Sequence, residues 1–157
     1  MFLNTFIGKL LATFFMSMIP IIELRGAIPF GVALGLPVPV AFITAIIGNL
    51  LPVPFIILFI RKIFDWLRGK SDRLNNLVNK FEAHTLKKAD KVRKGAFWGL
   101  LLFVAIPIPG TGAWTGAIIA ALLEVRYKIA LPAITLGVIS AAIIMSLLSY
   151  CGILMFF

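Results

Sequence analysis

Acids, histidine and cysteine are scarce in this chain of 157 residues, which has six acids, one histidine and one cysteine. A single Cys151 excludes an intrachain disulfide, and its apolar surroundings mark it as packing. His84 has no second histidine or cysteine with which to share a metal and lies among lysines, so it reads as a solvated loop residue and no metal site is expected. There is no His-Glu-x-x-His, no Gly-x-Ser-x-Gly and no aspartate pair within an apolar run, so neither an enzyme nor a cofactor is expected. Whole stretches also lack charge, the longest being residues 26–60.

What fills the chain is apolar. Its hydrophobic fraction is 61% and its mean hydropathy +1.07, where a soluble domain has roughly 45–50% apolar residues even with glycine counted. The chain reads as an all-α integral membrane protein of one domain. The net charge of +9 could suggest nucleic acid, but its distribution argues otherwise: eleven of the fifteen lysines and arginines fall within residues 61–94, with four of the six acids. A basic block between apolar runs reads as a cytoplasmic loop with affinity for anionic headgroups. Residues 1–20 lack a basic leader and a small-x-small site, so a cleaved signal peptide is not expected.

Charges leave four apolar runs: residues 10–22, 26–60, 95–123 and 129–157. A spanning helix needs about 20 residues. The second run is too long for one span and is broken at Leu36-Pro37-Val38-Pro39, which leaves a spanning helix at 40–60. Before it, arms at 3–19 and 21–35 meet at Pro20, the pattern of a re-entrant hairpin. The third run holds Ile106-Pro107-Ile108-Pro109-Gly110-Thr111-Gly112-Ala113-Trp114-Thr115-Gly116, which cannot be the interior of a regular helix. Arg126 and Lys128 should be cytoplasmic like the basic block, which a second re-entrant hairpin allows and a single crossing does not. Residues 129–157 then cross outward, with the N-terminus and the 36–40 turn outside. Residues 61–94 read as a basic amphipathic segment, interrupted at Gly69-Lys70-Ser71 and serving as a solvated linker partly lying on the membrane.

Each half is then a re-entrant hairpin followed by a transmembrane helix, an inverted repeat with residues 1–60 in the first half and 95–157 in the second. Ile19-Pro20-Ile21 aligns with Ile106-Pro107-Ile108. With two extra residues in the second half, Thr44-Ala45-Ile46-Ile47-Gly48 falls on Ala133-Ile134-Thr135-Leu136-Gly137. Without that gap, Arg25 aligns with Gly112 and Glu23 with Gly110. Broken helices meeting near the midplane are a transporter design.

Glu23 and Arg25 are the candidate site, since ionisable residues at membrane depth are costly and usually functional. Gly26 and the flanking prolines permit the unwound backbone that would let both charges converge. Glu23 is the proton-coupling candidate, and Arg25, always charged and fork-shaped, the anion anchor. The competing reading is structural: the two pair with each other, or Glu23 pairs with a donor from the second half. Pro109, Gly110, Thr111 and Gly112 would shape the facing tip. Thr111 would cap a half-helix whose N-terminus offers N–H groups to an anion, unless Gly112 and Gly116 merely allow close packing. Trp114 marks a cavity wall or an interfacial anchor. Asn49 needs a partner on another helix, and Arg126 lies at the cytoplasmic end.

Glu-Leu-Arg-Gly-Ala-Ile-Pro-Phe-Gly at 23–31, the basic middle loop and Pro-x-Pro-Gly-Thr-Gly-Ala-Trp-Thr-Gly at 107–116 resemble the small multidrug export proteins of bacteria and archaea. More distantly, the layout is similar to the DedA family, whose facing re-entrant hairpins carry an acid after a proline in the first and a Pro-Gly turn in the second. Pro20-x-x-Glu23, Pro109-Gly110 and Arg126-Tyr127 match that pattern. DedA proteins usually carry an arginine where this chain has Gly112, and here the arginine is Arg25. The resemblance implies a multi-pass protein of the cell membrane that moves polyprenyl phosphates or other lipids with proton-motive force.

The expectation is therefore a homodimeric transporter performing proton-linked translocation of an anionic amphiphile, such as a polyprenyl phosphate lipid. Its partners would be the bilayer, the amphiphile and protons, with no nucleic acid. The alternatives are a proton-coupled small multidrug exporter and a non-transporting membrane scaffold.

Overall fold

Many helix ends among the described residues fall beside proline or glycine, although Pro29 and Pro132 lie inside helices. The structure, a computed structural model, describes residues 5–87, 95–108 and 110–156, with side chains as far as Cys151. Among them are eight helices and no strand: α1 Phe6–Met18, α2 Glu23–Ala33, α3 Val38–Leu50, α4 Val53–Arg68, α5 Asp72–Lys87, α6 Ala96–Ala105, α7 Ala113–Leu122 and α8 Tyr127–Phe156.

Two segments are long and apolar enough to cross a membrane, Val38–Arg68 and Tyr127–Cys151. The first joins α3 and α4 through a turn at Leu51 and Pro52. The helix expected at 40–60 is thus longer at both ends and bent in the middle, because Pro52 and Pro54 cannot donate to the helical ladder. The helices α1, α2, α6 and α7 have 10–13 residues each, roughly 15–20 Å at 1.5 Å per residue. None alone would cross a hydrocarbon core of about 30 Å.

These short helices form two hairpins, α1 with α2 and α6 with α7. The first packs on α3 and the second on α8, and each also reaches into the other half, α2 against α8 and α7 against α4. Leu24, Ile28, Leu100, Ile119 and Ile134 are fully buried between them, with Ala27, Ala45, Ala113, Ala117 and Ala133 allowing close helix approach. Phe15, Ile43, Phe55, Trp98, Leu102 and Leu147 face outward, an apolar exterior suited to lipid and not to water.

Local geometries recur between the halves. Ile19 and Ile106 end α1 and α6 in extended conformations, φ/ψ −72°/126° and −75°/121°, each before a proline, which disfavours continued helix. A Cβ on Gly48 would strike Phe14 and Ser17, and one on Gly137 would strike Leu101 and Val104. The helices α2 and α7 both end in a left-handed residue, Gly35 (φ +86°) and Glu124 (φ +55°). Each end closes with the same long bond, Leu36 N–H to Gly31 O at 3.0 Å and Val125 N–H to Ala120 O at 2.9 Å.

The spacing is constant for Ile19/Ile106, Phe14/Leu101 and Ser17/Val104, and two residues longer for Gly35/Glu124 and Gly48/Gly137. The two extra residues of the second half therefore lie at its tip, between α6 and α7. Counted back from the matched helix ends, Glu23 stands opposite Gly112 and Arg25 opposite Trp114. The ungapped register, with Arg25 opposite Gly112, does not hold there.

The basic segment is more structured than a solvated linker. Gly69, Lys70 and Ser71 do separate α4 from α5, but Val78 and Thr85 of α5 are buried. Phe81 packs edge-on to Phe64 with centroids 5.9 Å apart, and Arg68 bonds Glu82 at 2.5 Å. Helix α5 also meets α7. Residues 88–94 lie outside the described residues.

Candidate functional site

The site grows from the first turn of α2. Beyond Pro20 the chain turns tightly, and the Glu23 N–H bonds Ile19 O at 2.8 Å. Glu23 itself takes φ +51°, a left-handed conformation that costs a non-glycine residue of order 1 kcal/mol or more. Its side chain lies at the start of α7, where Oε1 accepts the Trp114 N–H at 3.2 Å and the Ala113 N–H is also within reach. Glu23 is only 4% exposed. Gly112, at φ +142°, is required twice: the conformation suits only glycine, and a Cβ would overlap the Glu23 carboxylate.

Arg25 works on the other flank of the same tip. Its Nη1 donates to Ile108 O at 2.6 Å, and Nη2 faces Ile106 O at 3.1 Å, Val104 O at 3.3 Å and Thr111 Oγ1 at 3.0 Å. These carbonyls belong to the end of α6 and the turn beyond it, past the helical ladder, and those of Ile106 and Ile108 also accept the N–H groups of Ile108 at 2.8 Å and Thr111 at 3.1 Å. Thr111 Oγ1 in turn lies 2.8 Å from Ile108 O and 3.0 Å from Ile106 O, and its one hydrogen can serve one of them at a time.

Glu23 and Arg25 therefore do not pair with each other. The ion pairs among the described residues are Arg61–Glu124, Arg68–Asp65 and Arg68–Glu82. The acid caps the positive end of α7 and the base caps the negative end of α6, each arrangement favoured by the helix dipole. Two expectations are corrected here. Thr111 does not cap α7, which has Gly112 at its N-cap and no side-chain cap from its own hairpin. The N–H groups expected to meet an anion already hold the Glu23 carboxylate.

Between the two tips lies a cavity of about 590 Å³, lined by Pro20, Ile22, Glu23, Arg25 and Gly26 from one hairpin and Pro107, Gly110, Thr111 and Thr115 from the other. Gly110 adopts φ +80° at its edge. Of the remaining candidates, Pro109 lies outside the described residues. Trp114 gives its backbone N–H to Glu23, while its indole Nε1 is buried without a hydrogen-bond partner among the described residues. Asn49 is buried, pairs neither amide atom with any described residue and does not line the cavity, so the partner helix expected for it is not found among the described residues. Arg126 is exposed at the start of α8, away from the tips. The sequence reading missed the carbonyls of Val104, Ile106 and Ile108; the signal was the helix end that Pro107 enforces. It also missed Thr115, one turn beyond Thr111.

A protein-family model described as "Putative small multi-drug export protein" matches residues 23–144, from the capping glutamate through most of α8. No curated protein and no solved structure matches the chain.

Proposed function

The chain belongs to this family of small multi-drug export proteins, a family of membrane transporters, and from that premise we propose that its substrate passes through the cavity between the two hairpin tips. The observation that carries the reading is the cavity itself, with a buried carboxylate and a guanidinium in its wall. The recurring helix ends and glycine contacts support an inverted repeat of re-entrant hairpins; that the hairpins enter from opposite faces of a cell membrane, in a multi-pass homodimer, is part of the proposal.

The substrate we propose is an anionic amphiphile, with a polyprenyl phosphate as the leading candidate. Arg25 lines the cavity, and the first N–H groups of α7 lie behind the Glu23 carboxylate in its wall, so Glu23 occupies the place a substrate anion would take. Proton uptake by the Glu23 carboxylate removes its charge and loosens its hold on α7. Those N–H groups then become available to a phosphate, with the guanidinium alongside. Loss of the proton restores the cap and expels the anion. Ile21, 93% exposed at the rim, offers a path on which a lipid tail stays in hydrocarbon while the headgroup enters.

The test is transport in liposomes of purified protein with a fluorescent polyprenyl phosphate and an imposed pH gradient. Wild type should move the lipid in proportion to the gradient. Glu23→Gln, which cannot titrate, should lose the gradient dependence and keep binding. Gradient-driven transport by Glu23→Gln at the wild-type rate would remove the proton role. The family description favours a second reading, export of drugs; for cationic ones, cation and proton would compete for Glu23. Movement of a labelled lipophilic cation but not of the phosphate would select it.

A further inference from the structure

The outward face of α5 belongs to neither hairpin and is built unlike a solvent-facing helix. Leu77, Phe81 and His84 follow one another at helical spacing, with Lys80 and Lys87 beside them, and the five line a shallow groove of about 460 Å³. Leu77 is 62% and Phe81 47% exposed. On the opposite side Val78 and Thr85 are buried and Glu82 holds Arg68. The exposed face is therefore apolar at its centre and basic along its edge.

The placement of α5 says what this face meets. A helix doubling back along α4 from a turn at Gly69 would set its first residues beside Arg68. Instead Arg68 meets Glu82 and Phe64 meets Phe81, so α5 crosses the end of α4 with its later turns. The apolar stripe of α4 also continues past its first cation. Phe55, Phe59, Ile63 and Trp66 share one exposed face by helical spacing, and Lys62 and Lys70 lie over the Phe59 and Trp66 rings at 5.9 and 4.0 Å. Aromatic rings flanked by lysines are the composition of a membrane boundary, and this one lies at the level where α5 crosses.

We propose that α5 lies in the headgroup layer, with Leu77 and Phe81 among the acyl chains and Lys80 and Lys87 against the phosphates of anionic phospholipids. The occupant is a lipid surface because the groove pairs apolar floor with cationic edge and carries no acid of its own. Each lysine should contribute roughly fivefold to the docking equilibrium, and the two together roughly thirtyfold.

The experiment uses the full chain in a Cys151→Ser background, carrying a nitroxide at Leu77→Cys on this face or at Asn76→Cys beside it. The protein is placed in nanodiscs of phosphatidylcholine alone or with phosphatidylglycerol, and label accessibility to oxygen and to a water-soluble nickel chelate is read. With phosphatidylglycerol, position 77 should be open to oxygen and closed to nickel, and position 76 the reverse. Phosphatidylcholine alone, or Lys80→Gln with Lys87→Gln, should open position 77 to nickel while melting stays unchanged. Equal nickel accessibility at 77 in both lipids would overturn the proposal. So would a label hidden from both reagents and broadened by a second label, which would assign the face to another copy of the chain.

Discussion

Arg25→Gln and Glu23→Gln, singly and together, ask whether the two charges serve each other or serve the second hairpin. Arg25 holds the Ile108 carbonyl at 2.6 Å and faces three further acceptors at 3.0–3.3 Å. Hydrogen bonds to a charged group are worth about 1.5–3 kcal/mol each. The Ile106 and Ile108 carbonyls also accept the N–H groups of Ile108 and Thr111, so part of their bonding survives removal of the guanidinium, and the net loss should be about 3 kcal/mol. In a chain of this size that lowers the melting temperature by roughly 6–12 °C. Glu23→Gln keeps an acceptor for the Trp114 N–H and loses only the charge at the start of α7, costing about 1 kcal/mol, or roughly 2–4 °C. The two bind different segments but carry opposite charges two residues apart, so the loss in the double variant should fall short of the sum of the single losses by roughly 0.5–1 kcal/mol and still be no smaller than for Arg25→Gln. The assay is thermal unfolding in one detergent, with oligomeric state checked for each variant. A buried ion pair would behave oppositely: each single change would cost roughly 3–5 kcal/mol and the double variant would recover much of it. A double variant melting above either single one would refute the cross-capping geometry.

Gly112→Ala forces a Cβ into the Glu23 carboxylate and a non-glycine residue into φ +142°, so melting should fall by at least as much as for Glu23→Gln, and gradient-driven transport should be lost. Wild-type melting and transport in Gly112→Ala would remove the contact between the tips. Topology is read by cysteine labelling from outside intact cells in a Cys151→Ser background, which should reach Val38→Cys and not Tyr127→Cys. External labelling at position 127 would mean that α6 and α7 together cross the membrane, and the re-entrant reading of the second half would fail.

Much of the helix plan was legible because proline and glycine act locally. Pro20, Pro37, Pro107 and the Gly69-Lys70-Ser71 break mark helix boundaries wherever the chain is placed in space. The recurrence of Ile-Pro-Ile was legible for the same reason, since the extended residue before each proline ends α1 and α6 alike. The place of the two extra residues was not, because a gap of two can slide along a glycine-rich tip without disturbing any apolar pattern. Only matched helix ends fix it, and Glu124 hid that match by holding a left-handed position where the first half uses Gly35. The site was legible as a list of residues and not as an arrangement. Spacing shows that Glu23 and Arg25 diverge on a helix, but it cannot show that each meets a different end of another hairpin. Asn49 stood out as a polar residue in an apolar span, and its unpaired amide is a cost whose return the described residues do not contain.

An acid and a base two residues apart are what a facing helical hairpin needs. The tip of any such hairpin holds the negative end of its first helix and the positive end of its second, a few residues apart and short of backbone partners. A neighbouring segment carrying one charge could satisfy one end only, and would leave a net charge at membrane depth. Glu23 and Arg25 satisfy both ends and bring no net charge with them, which limits the cost of burying either. Cross-capping needs the pair once. A second Glu-x-Arg in the other tip would crowd four charges around one cavity, with like charges as near to each other as opposite ones. Gly112 and Trp114 stand at the matching positions instead, a glycine that makes room for the carboxylate and a residue whose N–H binds it, while Thr111 shares the guanidinium. On that logic the asymmetry between the halves leaves one carboxylate and one guanidinium in the cavity wall, the pair that both helix ends of the second hairpin require.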